Sequence, residues 1–180
     1  MAAHSPEQDM RGRIIQAAQH VIVKYGVAGA TARSISAQAN ISPGTLTYHF
    51  KSVDEVLEAA FSRLAGQVSD HFRQRLLAAK DSTDAIEAVS DLICGNIVAA
   101  PSNMLMSFEL YAYASRNPKV RLISQEWLRQ SRNALSLHFD EKLAVMLDAL
   151  IEGFTVHQHL SDETISRQEI QAFLTKLIST

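Results

Sequence analysis

The chain has 180 residues, of which 47% are hydrophobic and 20% charged, with a formal net charge of −2. This is ordinary globular composition, long enough for a sizeable core. No apolar run reaches membrane-span length and no basic-then-apolar leader opens the chain, so a cytoplasmic location is expected. A single cysteine, Cys94, excludes an intrachain disulfide and suits a reducing compartment; within Leu92-Ile-Cys-Gly it reads as a buried thiol, with a redox sensor as the alternative.

In chain order, residues 1–4 read as a loose tail, and Ser5-Pro-Glu-Gln8 as a helix start with a capping box. Apolar residues recur at Ile14, Ala18, Val21, Ile22 and Tyr25, a helical stripe that Gly26 ends. Arg11 and Arg13 near its start are either solvated charges or phosphate contacts. Thr31 is a candidate N-cap for a short helix carrying Ile35 and Ala39 on one face. Asn40 suits the left-handed exit, and Ile41 the corner. Ser42-Pro43 restarts the chain as cap and first helical residue, with Leu46 and Phe50 facing inward. Pro43, Gly44, Thr45, Thr47, Tyr48 and His49 are then left outside, a short polar helix on a compact support that suits a DNA major groove.

Further along, Ser52-Val-Asp-Glu55 is a second capping box, and the stripe from Val56 to Phe72 predicts a connecting helix over 52–79. A helix follows from about Asp84 to Val98, with Ile86, Val89, Leu92, Ile93 and Ile97, and Pro101-Ser102 breaks it. The next segment, with Met104, Leu105, Phe108, Leu110, Tyr111 and Tyr113, is apolar nearly all round and should be mostly buried. Pro118 opens a helix with Val120, Leu122, Ile123, Trp127, Leu128, Leu135 and Leu137. Asp140 opens another, with Leu143, Met146, Leu147, Leu150, Ile151 and Phe154. Ser166-Arg-Gln-Glu169 caps a last one, with Ile170, Phe173, Leu174, Leu177 and Ile178. No strand alternation competes, so an all-α fold of about nine helices is expected.

From Arg13 to about Phe61 the chain resembles the N-terminal DNA-binding domain of TetR-type transcriptional regulators. Thr31, Ile35, Ala39, Ser42, Gly44, Leu46, His49 and Phe50 carry the likeness. The chain departs from the pattern at Asn40, Ile41, Thr47 and Val53, where that family usually has Gly, Val, Tyr and Lys. The last two remove a phenol and an ammonium that typically touch phosphates, which implies a heavier dependence on dimerisation. The resemblance implies a three-helix helix-turn-helix domain over 1–51 and a C-terminal ligand-binding and dimerisation domain over 52–180. It also implies pairing of the last two helices with those of a second copy, and their broad apolar faces are compatible with that. The charge distribution agrees: residues 1–51 hold five basic and two acidic side chains, net +3, and residues 52–180 hold twelve and seventeen, net −5.

The expected DNA-binding residues are Thr31, Arg33, Ser42, Pro43, Gly44, Thr45, Thr47, Tyr48, His49 and Lys51. Arg33 sits where some members of the family place a base-reading arginine, and a guanidinium can pair bidentately with guanine; the alternative is a plain surface charge. Gly44 permits close backbone approach. Thr47 and Tyr48 suit thymine methyl or phosphate contact, while Thr31, Thr45, His49 and Lys51 suit phosphate positioning. Tyr48 and His49 have motif packing as their alternative. For an effector, Met104, Phe108, Tyr111, Trp127, Met146 and Phe154 could line an apolar cavity, with Glu109, Asn96, His138 or His157 supplying polarity. Core packing is the alternative for each apolar member. Glu109, on so apolar a helix, needs a partner if buried, and an arginine or a cationic ligand would serve.

No cofactor, metal site or enzymatic activity is expected: His157 and His159, two apart, fit no helical zinc pair, and no nucleophile elbow or phosphate loop occurs. The expected partners are double-stranded DNA with a palindromic operator, an unknown small-molecule effector and a second copy of the chain, with no membrane. A repressor that its effector releases is the leading reading. A DNA-binding factor without an effector, or an all-α carrier or enzyme with a merely structural motif, are the rivals.

Overall fold

The computed structural model describes residues 6–95 and 100–178. Among them are nine helices and no strand: α1 Pro6–Gly29, α2 Ala32–Ala39, α3 Pro43–His49, α4 Val53–Ala78, α5 Ser82–Cys94, α6 Pro101–Ala114, α7 Pro118–Leu135, α8 Glu141–Leu160 and α9 Arg167–Ile178. The cap at Ser5 and the polar candidate Asn96 lie outside the described residues.

The helix boundaries follow local chemistry. Thr31 accepts the Ser34 amide at 3.1 Å and Ser34 returns a hydrogen bond from the Thr31 amide, a reciprocal box that starts α2. Asn40 ends it in the left-handed region at φ 53°. Ser42 accepts the Thr45 amide, and Pro43 opens α3. Asp81 and Asp140 cap α5 and α8, and Ser166 with Glu169 caps α9. Gly26, at φ 69° and ψ 176°, breaks the helical run of α1, a conformation that costs a side-chain-bearing residue.

The chain forms two compact units: residues up to Leu64 together with Leu105–Ser124, and residues Ala65–Met104 together with Gln125–Thr180. The division falls inside α4, α6 and α7, because all of α6 from Leu105 on and the start of α7 group with the N-terminal helices. In the first unit Ile14, Ala18, Val21, Ile22, Ile35, Leu46, Phe50, Phe61 and Leu110 are buried. Tyr25, at the end of the α1 stripe, is instead 57% exposed beneath the Lys24 ammonium. The second unit has a core of Phe72, Leu76, Ile86, Val89, Ile93, Leu135, Phe139, Leu147, Ile151, Ile170 and Leu174, drawn from α4, α5, α7, α8, α9 and the turn between α7 and α8. It leaves Met146 and Phe173 exposed. The α6 segment is less buried than its composition suggests. Met104, Met106 and Leu110 are inside, Leu105 is exposed, and Phe108, Glu109, Tyr111 and Tyr113 are half-buried.

Candidate nucleic-acid interface

The first unit presents α3 on a braced support. Leu46 and Phe50 are both 1% exposed, and burying each is worth about 1.5–3 kcal/mol, so the inner face of this two-turn helix is firmly held. Two arginines of α1 complete the bracing. Arg11 donates to the His49 carbonyl, pairs with Glu55 at 3.6 Å and lies over the Phe50 ring at 4.0 Å. Arg13 donates to the Ala39 carbonyl at 3.2 Å. Each guanidinium thus meets the C-terminal carbonyl end of a motif helix, where a cation is favoured by the helix dipole. Arg11 is half-buried and Arg13 exposed, so each has a structural bond in addition to the solvated or phosphate-contact role the sequence suggests.

The expected DNA-binding residues gather around the opposite face. Arg33 is exposed on α2, with no side-chain partner among the described residues. Pro43, Gly44, Thr47 and Tyr48 are exposed on α3, Tyr48 at 79%. Thr47 returns its hydroxyl to the Gly44 carbonyl at 3.0 Å, which leaves its methyl as the outward group. Ser42 is exposed and caps α3 while Thr45, half-buried, shares a 3.0 Å contact with the Ser42 hydroxyl. Thr31 is exposed and caps α2, so both cap hydroxyls do structural work before any phosphate arrives. His49 is half-buried, stands edge-on to Tyr48 with ring centroids 5.0 Å apart, and has a buried Nδ1 without a hydrogen-bond partner among the described residues. Lys51 is exposed just beyond α3.

The expected effector residues are divided between the units. Phe108, Glu109 and Tyr111 belong to the first; Met104, Trp127, Met146 and Phe154 belong to the second. Met104 is buried, Met146 is 49% exposed, and Phe154 packs edge-on against Phe173 with ring centroids 5.9 Å apart. His138 meets the Leu76 carbonyl through Nε2 at 2.7 Å. Glu109 has neither an arginine nor an empty site as partner: its Oε2 accepts the Val27 amide at 2.8 Å. A cavity of about 260 Å³ in the second unit is lined by other residues, among them His71, Phe72, Arg75, Asp91, Cys94 and Arg167. There Asp91 takes hydrogen bonds from both Arg75 and Arg167. Burial alone would raise the Asp91 carboxyl, but these two guanidiniums outweigh it and hold it below the ordinary aspartate value. Burial pushes the Cys94 thiol up, which disfavours the thiolate a redox sensor needs.

Known proteins share this organisation. Residues 14–60 match the model of the bacterial regulatory proteins, tetR family, and residues 80–180 that of the tetracyclin repressor-like, C-terminal domain. SCO7518 from Streptomyces coelicolor A3(2) is similar in structure, with a TM-score of 0.87 and 35% identity over 96% of this chain and 99% of that one. The multidrug binding protein EbrR complexed with ethidium is similar at a TM-score of 0.79 and 25% identity, over 97% of this chain and 99% of that one. The HTH-type nicotine-responsive transcriptional repressor HdnoR of Paenarthrobacter nicotinovorans is 31% identical over 110 residues. That match spans 61% of this chain and 57% of that protein.

Proposed function

This chain is a DNA-binding transcriptional regulator of the tetR family of bacterial regulatory proteins, and we propose that it is a homodimeric repressor released from a palindromic operator by a small molecule. The observation that carries the reading is the outward face of α3, polar and protruding at Tyr48, on a helix anchored by Leu46, Phe50 and Arg11. One such helix buries too little surface to select a site in a genome, whereas two related by a two-fold axis read half-sites about 34–36 Å apart. Arg33, Thr47 and Tyr48 then contact bases, and Thr31, Ser42, Pro43, Gly44, Thr45, His49 and Lys51 fix the register on the sugar-phosphate backbone. The apolar side chains left exposed on α8 and α9, Met146 and Phe173 among them, support pairing of two copies through these helices. The place of action is the cytoplasm, where a bacterial genome lies; no helix among the described residues is long and apolar enough to cross a membrane.

The effector half of the proposal draws support from HdnoR, named as nicotine-responsive, and EbrR, named as multidrug binding. Of the expected effector residues, Met104, Trp127 and Phe154 lie in the second unit, where they supply apolar contact to the effector. An effector needs only a few kcal/mol of preference for the conformation with mis-spaced recognition helices to empty the operator. Footprinting on the DNA flanking the chain's own gene tests both halves. The expected result is a protected palindrome that a stabilising small molecule from a thermal-shift screen erases. No protection anywhere in that DNA would contradict the DNA half, and protection unchanged by every stabilising compound would contradict the effector half.

A further inference from the structure

The turn between α6 and α7, Ser115-Arg116-Asn117, carries a cation, Arg116, that the helix-turn-helix motif does not account for. The turn is well ordered by its own bonds. Asn117 Oδ1 accepts the Lys119 amide at 3.0 Å and the Val120 amide at 3.3 Å, which caps α7. Arg121 donates to the Ala114 and Ser115 carbonyls at 3.3 and 3.1 Å, which closes α6. The Tyr113 hydroxyl donates to Asp54 at 2.9 Å, and the Lys119 ammonium lies 4.0 Å from Glu58. These contacts hold the turn beside the first two turns of α4, which begins only four residues after α3 ends.

Between the turn and α4 lies an open cleft of about 720 Å³, with Lys51, Ser52, Asp54, Glu55 and Glu58 on one side and Arg116 to Lys119 on the other. Its carboxylates are all engaged. Asp54 receives Tyr113, Glu55 receives the Lys51 amide at 2.8 Å and Arg11, and Glu58 faces Lys119. The Lys51 ammonium and the Arg116 guanidinium are exposed and have no partner among the described residues. Charge follows the same line. Residues 105–124 add three basic side chains and one acidic to the first unit, bringing it to nine against six, a net +3, while the second unit holds eight against thirteen, a net −5.

We propose that Arg116, with Lys51 across the cleft, grips the DNA phosphate backbone beside the groove that α3 enters. The DNA footprint of each protomer then extends to a residue more than fifty positions beyond the helix-turn-helix. This rests on the chain being a DNA-binding regulator and adds a phosphate contact from outside the motif. Such a contact carries no sequence information and acts through counterion release.

The test compares the full chain with Arg116→Ala, Arg116→Lys and Lys51→Ala on its operator and on a scrambled duplex, as salt is raised from 50 to 200 mM. Each phosphate contact contributes about 0.9 to the slope of log affinity against log salt. Loss of Arg116 from two protomers should therefore flatten the slope by about 2, by the same amount on both duplexes. Arg116→Lys should keep the slope, and thermal stability should not move, since the Arg116 guanidinium bonds to nothing among the described residues. An Arg116→Ala protein with the wild-type slope and affinity would overturn the proposal while leaving DNA binding intact. A wild-type chain that binds neither duplex would instead overturn the reading on which the proposal rests.

Discussion

The Glu109 carboxylate accepts the Val27 amide at 2.8 Å, across 82 positions of sequence, and so ties α6 to the turn through which α1 delivers the chain to the helix-turn-helix. Gly26 is favoured by its positive φ, and a Cβ there would sit 2.9 Å from Glu109 Oε1, the movable end of that side chain. Glu109→Ala should cost about 1–3 kcal/mol in chemical denaturation, because the Val27 amide loses its acceptor, whereas Glu109→Gln keeps a carbonyl oxygen there and should cost less. Gly26→Ala should cost about 1–3 kcal/mol through backbone strain. A wild-type unfolding midpoint for Glu109→Ala would show that water serves the Val27 amide equally well.

Asp148 is buried to 4% exposure on α8 and receives Arg132 Nε at 2.9 Å. Removing the guanidinium leaves a buried charge without its counter-ion, and such losses run to about 3–5 kcal/mol. Arg132→Ala should therefore be severely destabilised, and Arg132→Ala combined with Asp148→Leu less so. Equal unfolding free energies for the single and double variants would remove the buried charge as the cause.

Asp91, held below its ordinary pKa against the opposing effect of burial by Arg167 and Arg75, makes stability depend on acid. A depressed folded-state pKa means that the unfolded chain binds a proton first as pH falls. The contribution is thus complete above the unfolded aspartate value of about 3.9 and disappears as pH drops through the lower folded-state value. Thermal unfolding of Asp91→Asn followed from pH 6 downwards should show a shallower acid decline than the wild type. Parallel declines would place the acid sensitivity elsewhere.

Arg33 is an exposed α2 cation with no side-chain partner among the described residues, and as a base reader it should discriminate by about 1–3 kcal/mol at one base pair of each half-site. Arg33→Ala should weaken operator binding and level the preference at that pair, while binding to scrambled DNA changes little. Equal losses on both duplexes would make Arg33 a phosphate contact instead.

What the sequence reveals here is mostly local. The caps at Thr31, Ser42, Asp140 and Ser166, the left-handed exit at Asn40 and the inward pair Leu46 and Phe50 are all written within a few residues of where they act. The polar face of α3 follows by subtraction. The partners of Arg11, Arg13, Glu109 and Asp91 lie 16 to 82 positions away, and no periodicity reports such pairings. Arg11 and Arg13 therefore read as solvated charges or phosphate contacts, while their bonds to the His49 and Ala39 carbonyls go unannounced. The apolar stripes also say which face of a helix is hydrophobic without saying what covers it, which is why Tyr25, Leu122 and Met146 belong to stripes and remain exposed. The effector residues suffer most from this, because an aromatic side chain on a stripe looks the same whether it fills a core or lines a cavity.

In the function proposed for this chain, α3 and Arg33 read a particular DNA sequence. The most direct test is fluorescence polarisation of the full chain on the duplex flanking its own gene against a scrambled duplex of equal length, at one physiological salt concentration. The expected result is binding to the flanking duplex about a thousandfold or more tighter than to the scrambled one. Indistinguishable affinities for the two would contradict it.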